Sequence, residues 1–278
     1  MQRIKQISVS GIAAKGFVRP IIFCGALACL AAPVMAQVAM TPLPFGQGQK
    51  ILTPLPFGQK NKSPLKSLTA TSELAVAAQW NMDETSGNTM VDSSGNGNNG
   101  TTTNVTMSPD GYVFDGTSSK VVVPSSATLN PGTQDFSFSA RVQIAVAPAK
   151  GVTYEVIRKG TSIATGGEYR LEIYHSNGKA RAHCDVKDQS GAIANIKGGP
   201  FLSDNLVHTI TCTKSATGLT MQVDAAPPLT TAVTLTGLIS SPKPLTVGVK
   251  QSTLKSTPSD FYKGIIRSAT VSVAPPSA

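Results

Sequence analysis

The chain predicts an all-β fold, an antiparallel two-sheet β-sandwich of the jelly-roll kind. Three observations carry this expectation. Apolar residues recur at every second position through most of the chain after Glu73, as half-buried strands require. Gly, Pro, Asn and Asp gather between these runs at short intervals, which marks turns. No stretch after Glu73 has a helical period, and many short strands joined by such turns argue a sandwich.

The first strand is set by Leu74, Val76, Ala78, Trp80 and Met82, which alternate and include the single Trp. The rhythm then stops, and Asp83–Gly100 reads as a long ordered turn of Gly, Asn, Ser, Asp and Thr. Gly111–Gly116 is a short strand ending in Asp115-Gly116, and Lys120–Pro124 follows it. Phe136, Phe138, Ala140, Val142, Ile144 and Val146 put six apolar residues on one face. Trp80, Phe136 and Phe138 therefore read as core. Tyr154 and Val156 precede a turn at Arg158-Lys159-Gly160.

Tyr169, Leu171 and Ile173 then face Ala180, Ala182, Cys184 and Val186 across Asn177-Gly178, the clearest short hairpin signal. Leu206, His208, Ile210 and Cys212 form the next strand, and Leu219, Met221 and Val223 its neighbour. Leu245 and Val247 make a short strand, and Ile266, Ala269, Val271 and Val273 close the sandwich.

Charge separates this part from what precedes it. The first 72 residues hold eight of the 24 basic residues and no acid, leaving 16 basic against 15 acidic residues from Glu73 onward. The net charge of +9 belongs to the N-terminal segment, so it does not argue nucleic-acid binding. Residues 1–36 read as a secretory signal peptide: basic residues, the apolar run from Ile21 to Val34, and Ala36 before Gln37. The longer stretch Ile21–Met40 could instead stay as a membrane anchor, since about 20 apolar residues span a bilayer, but Pro33 and the small residues before Gln37 favour cleavage, with no membrane insertion afterwards. Cys29 lacks the preceding Leu that a lipoprotein site would want. Residues 37–72 are a Pro-rich linker in which Thr41–Gln47 and Thr53–Gln59 both read TPLPFGQ. Alternate prolines favour an extended spacer, with Phe45 and Phe57 as the alternative docking residues. Residues 73–274 form the sandwich and 275–278 a tail. The expected location is secreted, periplasmic or cell surface.

Several motifs in one order carry a family resemblance. Trp80 with Asp83-Glu84 and the Asp92–Gly100 loop come first, then Phe114-Asp115-Gly116, Val122-Val123-Pro124 and the Asp135–Val142 strand. Ile157-Arg158-Lys159-Gly160 and Tyr169-Arg170-Leu171 follow. Together they resemble a bacterial laminin-G-like jelly roll of the concanavalin-A-like lectin/glucanase superfamily, from about Ala75 to Val273. The resemblance implies a non-catalytic module that binds an extracellular polysaccharide or a surface protein. A structural part of an envelope assembly is the competing reading. The chain departs from the family in three places. Asn205-Leu206-Val207-His208 replaces a W-H-H-V-A strand, Val223-Asp224-Ala225 lacks the Gly of V-D-G, and Arg267 stands where the closing strand has Asp.

Catalysis finds little support. Glycosidases of this broad fold pair carboxylates on one strand as E-x-D-x-x-E, because acid and nucleophile must flank one bond. Glu168 and Glu172 share a strand face, but basic Arg170 lies between them, and both read as solvent-facing. His175, His183 and His208 adjoin no nucleophile elbow or zinc helix. Asp92, Ser94 and Asn96 have the D-x-S-x-N spacing that could converge on calcium; the alternative is a loop bonded to its own backbone. Tyr112, Tyr174, Phe201 and Tyr262 are candidate exposed aromatics that nothing in the sequence groups.

Cys184 and Cys212 are the cysteines left after signal cleavage. An even count in an exported protein favours one disulfide over two buried thiols. The expected geometry is two neighbouring strands of one sheet with both sulfurs on one side, within Cα separations of about 4.4–6.8 Å.

Overall fold

The computed structural model describes residues 73–161, 166–251 and 258–276. The expected signal peptide, the expected linker with its repeat, and the last two residues lie outside them. Among the described residues no helix is long and apolar enough to cross a membrane.

Two antiparallel sheets of eight strands each form a sandwich. The first sheet holds β1 (Ala75–Trp80), β4 (Thr106–Ser108), β5 (Gly111–Asp115) and β7 (Phe136–Gln143). It also holds β12 (Val207–Ser215), β13 (Gly218–Val223), β14 (Leu229–Thr231) and β16 (Lys263–Val273). Its order is β14-β13-β12-β7-β16-β5-β4, with β1 added along β16. The second sheet holds β2 (Thr89–Met90), β3 (Gly100–Thr103), β6 (Lys120–Val123) and β8 (Thr153–Lys159). With these go β9 (Glu168–Ser176), β10 (Lys179–Lys187), β11 (Ile193–Gly198) and β15 (Leu245–Val247). Its order is β11-β10-β9-β8-β15-β6-β3-β2. Among the described residues one 3-10 turn, Ala127–Leu129, interrupts the strands.

The alternation of apolar residues builds the core where the two inner faces meet. Trp80, Phe136, Phe138 and Tyr169 are fully buried, and the Tyr169 ring lies 5.3 and 5.2 Å from the rings of Phe136 and Phe138. Its hydroxyl donates to the Leu129 carbonyl at 3.1 Å, so this buried polar atom has a partner. Tyr112 and Tyr262, expected as exposed aromatics, are buried as well. Tyr112 donates to Glu84 at 2.5 Å, and Tyr262 donates to the Gln143 and Ile265 carbonyls.

Three further expectations are corrected. The first strand ends at Trp80, and a bulge between Val76 and Ala78 breaks its alternation, leaving Val76 exposed. β7 stops at Gln143, so Val146 leaves the core face and is exposed. Arg158 and Lys159 are the buried last residues of β8 rather than part of a turn. Gly160 follows at φ +89°, where a Cβ would strike the Gly167 carbonyl.

The hairpin between β9 and β10 turns at Asn177 and Gly178 with φ of 50° and 77°, the two positive values a type I′ turn needs. The Val223-Asp224-Ala225 tip works without its Gly because Asp224 itself takes φ 51°. Asp tolerates that conformation, and its carboxylate accepts the Thr209 amide at 2.7 Å. Arg267 sits in a bulge between Ile266 and Ser268 and donates to Asp110 and Gln143.

The cysteines are bonded, with Cα atoms 5.9 Å apart, but not within one sheet. Cys184 lies on β10 and Cys212 on β12, so the bond joins the two sheets. Face-to-face sheets usually lie about 10 Å apart. Small buried neighbours, Ala180, Ala182 and Ala140, let the backbones close in here.

Candidate functional site

The loop that had suggested calcium comes first. Asp92 Oδ1 accepts the amides of Gln79 and Ser94, and Oδ2 the amide of Asn98, at 2.9–3.0 Å. Burial alone would raise its pKa; these hydrogen bonds outweigh burial and hold it below the usual carboxylate value. The Ser94 hydroxyl donates to the Ala77 carbonyl, and the Asn96 amide nitrogen donates to the Val76 and Ala77 carbonyls at 3.1 Å. Asn98 O accepts the Trp80 indole at 2.8 Å. Ser94 and Asn96 thus donate to strand β1, while Asp92 accepts from Gln79 of that strand and from two amides of its own loop. The set fits a clasp that pins the loop to the strand and does not fit a hard cation, which needs six or more converging oxygens.

A second cluster was not expected from the sequence. On the face of the second sheet away from the core, Glu155, Arg158, Glu168, Arg170, Glu172, His183 and Asp185 form one ionic network. The strand register brings them together: Glu155 and His183 both pair with Glu172, and Arg158 and Asp185 both pair with Arg170. Arg158 Nε donates to Glu155 at 2.9 Å, and its other nitrogens donate to Glu168 and Glu172. Arg170 lies 3.3 Å from Asp185 and His183 Nδ1 2.9 Å from Glu172. Glu168 and Glu172, expected to face solvent, are buried. Burial pushes the Glu155 carboxyl well up despite Arg158 beside it, and it raises Glu168 too. At Glu172 burial is outweighed by the His183 hydrogen bond and both guanidinium groups, which hold its pKa at about 2. Three carboxylates with separated acidities resemble an acid–base set. Each is locked onto a guanidinium or imidazole and shut from solvent, an arrangement suited to holding β8, β9 and β10 together.

Beyond this network the same face becomes exposed and basic. Tyr174 and Phe201, two of the four candidate aromatics, meet here. Lys179 Nζ and the Arg181 guanidinium carbon each lie 4.3 Å from the Phe201 ring centre, and Lys197 Nζ lies 5.5 Å from that of Tyr174. Phe201 is 38% exposed. It borders a cavity of about 370 Å³ whose wall includes Val146, Lys179, Ser203 and Asp204. Asp204 accepts from His208 at 2.9 Å, and His208 Nδ1 lies 2.7 Å from Asp224. A larger cavity of about 560 Å³ near Val76, Pro131 and Pro276 is lined by Asn96, Thr128, Asn130 and Gln134 and by no titratable residue. Among the described residues no three His, Cys, Asp or Glu side chains gather as a metal site.

A family profile described as concanavalin A-like lectin/glucanases superfamily, laminin G type, matches residues 115–275. The chain belongs to this family. The match begins after the Trp80–Gly100 stretch, the first landmark of the resemblance. Curated proteins give no match. Among solved structures, the binding domain of Paraclostridial mosquitocidal protein 1 is 13% identical at a TM-score of 0.51, covering 72% of this chain and 48% of that one. The botulinum neurotoxin serotype D binding domain is 14% identical at 0.52, covering 73% and 48%. Botulinum neurotoxin type C, which depends on interaction with two ganglioside molecules to get into cells, is 17% identical at 0.51, covering 72% and 49%. The chain spans about half the length of each, and likenesses at these identities establish the fold alone.

Proposed function

We propose that this chain is an exported, non-catalytic binding module that holds a polysaccharide outside the cell, with a surface protein as the alternative ligand. Export rests on the apolar run before Gln37. Binding rests on one observation: Phe201, Tyr174 and three cations meet at the exposed end of the second sheet, beside a cavity. Ligand sites combine an apolar surface with a few placed polar groups, and this end of the sheet has both. The family includes lectins and glucanases alike, and the sealed carboxylates of the Arg158 network favour the former. The neurotoxin binding domains share the fold, which is compatible with the reading and does not choose the ligand.

A glycan array probed with the full chain and with Phe201→Ala tests this. The expected result is saturable binding that the substitution weakens about tenfold, near 1.4 kcal/mol. Silence from well-folded protein would favour a purely structural role in an envelope assembly. Hydrolysis of a β-glucan by pure protein would refute the non-catalytic part.

A further inference from the structure

We infer that the exposed end of the second sheet takes an acidic polysaccharide, a linear chain of carboxylated or sulfated sugars; this rests on the binding-module reading above. Lys179 and Arg181 are two apart on β10, so they share a face about 7 Å apart along the strand. Lys197 on β11 is the register partner of His183, the next same-face residue after Arg181, and so continues the line. The three cations form a row rather than a converging pocket. A row suits a polymer that repeats its charge, whereas a small anion would need donors aimed at one point.

The row is not neutralised from within. Glu172 and Asp185, the acids nearest on this face, are taken by His183 and Arg170. Asp204 at the cavity wall accepts from His208 and from the Leu206 amide. Among the described residues no carboxylate pairs with Lys179, Arg181 or Lys197. The rings hold the cations in place without cancelling their charge, and a positioned cation loses less freedom when a ligand arrives. Arg181 also donates to the Gly199 carbonyl at 2.6 Å, while its Nε has no partner among the described residues. Since the chain from Glu73 onward is nearly neutral, the positive charge here is local. Single-stranded nucleic acid is the less suited polyanion, because its bases stack on open ring faces and these rings already carry cations.

The test uses the full chain and two pairs of polymers: polygalacturonate against its methyl ester, and dextran sulfate against dextran. Binding is followed by calorimetry. The expected result is binding to at least one charged polymer, at least tenfold weaker for its neutral counterpart. The Lys179→Gln/Arg181→Gln variant, or Lys197→Gln if the double variant melts early, loses at least tenfold in affinity. A control at Lys60 and Lys62 in the basic N-terminal segment loses little. Equal, Phe201-dependent binding of neutral and charged polymers would overturn the acidic class and leave the binding module standing. No binding to any polysaccharide would remove both. Single-stranded DNA bound as tightly as the charged polymers, through the same three residues, would overturn the proposal in favour of nucleic acid.

Discussion

Cys184 and Cys212 join opposite sheets, with β10 and β12 bonded across the core at a Cα separation of 5.9 Å. The loop they close spans 28 residues in sequence. On the chain-entropy account, closing it in the unfolded state stabilises the fold by about 3.5 kcal/mol. Reduction is therefore expected to lower the melting temperature by roughly 10 °C, given about 2–4 °C per kcal/mol for a domain of this size. Calorimetry with and without a phosphine reductant measures this. An unchanged melting point with both thiols shown to be free would refute it.

Arg158 and Glu155 differ sharply in what their loss should do. Arg158 is the centre of three buried carboxylates. Arg158→Met is expected to destabilise by about 3–5 kcal/mol, because it leaves buried charge uncompensated. Glu155→Gln keeps the shape of a carboxyl that burial already holds towards its neutral form, so its cost near neutral pH is expected below about 1 kcal/mol. The raised pKa of Glu155 also has a pH sign. Its contribution is present below about 4.5 and lost as pH rises through the folded value, so Glu155→Gln should flatten that decline. Urea denaturation across pH decides, and equal effects of the two substitutions would count against the network as described.

How much of this was legible follows from what alternation encodes. Asn177-Gly178 announced its hairpin because only a two-residue turn with positive φ satisfies that dipeptide between apolar runs. Period two also placed Trp80, Phe136 and Phe138 inside. It assigns each residue a face within its own sheet, but not which sheet, so the cysteines were expected on neighbouring strands. Nor does it say whether the second face is covered. Glu168, Arg170 and Glu172 alternate with Tyr169, Leu171 and Ile173 just as solvent-facing polars would, and burial on both sides of β9 leaves the pattern unchanged. The alternating charge sign was the one available clue. β2, β4 and β14 are two or three residues long, too short to show any period. Edge strand β11 mixes Ile193 with Asn195 and Lys197 on its outward side, which blurs its alternation.

Asp92 is the anchor of the clasp on β1, and its three backbone amides give Asp92→Ala a definite expectation. The amides of Gln79, Ser94 and Asn98 would lose a charged acceptor, at about 1.5–3 kcal/mol. Asp92→Asn should fall between, since one amide oxygen can accept but the nitrogen cannot. Adding a chelator should leave the wild-type melting temperature unchanged, because the loop's oxygens are engaged with protein. A chelator-induced drop of several degrees, restored by calcium, would show that the clasp reading is wrong.

His208 gives the fold a pH dependence near neutrality. Both ring nitrogens face carboxylates, Nδ1 towards Asp224 and Nε2 towards Asp204, an arrangement that wants the doubly protonated ring. Burial works against that charge, and the two hydrogen bonds and charges outweigh it, so the His208 pKa is raised above 6.5. A group whose folded pKa is raised contributes stability that is fully present below the unfolded value, about 6.5, and lost as pH rises through the folded one. Asp204 behaves oppositely: its pKa is lowered, so its contribution is present above the ordinary carboxylate value and lost in acid. Stability from this triad should therefore be greatest between about pH 4 and 6.5 and decline above it. Lys159, pushed down to about 8 by burial, adds stability as pH rises above 8 and would mask the decline in a single curve. The informative quantity is the difference between wild type and His208→Gln, taken from urea midpoints at pH 5 to 9. That difference is expected to be largest at pH 5 and to shrink as the histidine loses its proton. A difference that stays constant across the range would mean His208 is held neutral and contributes only packing.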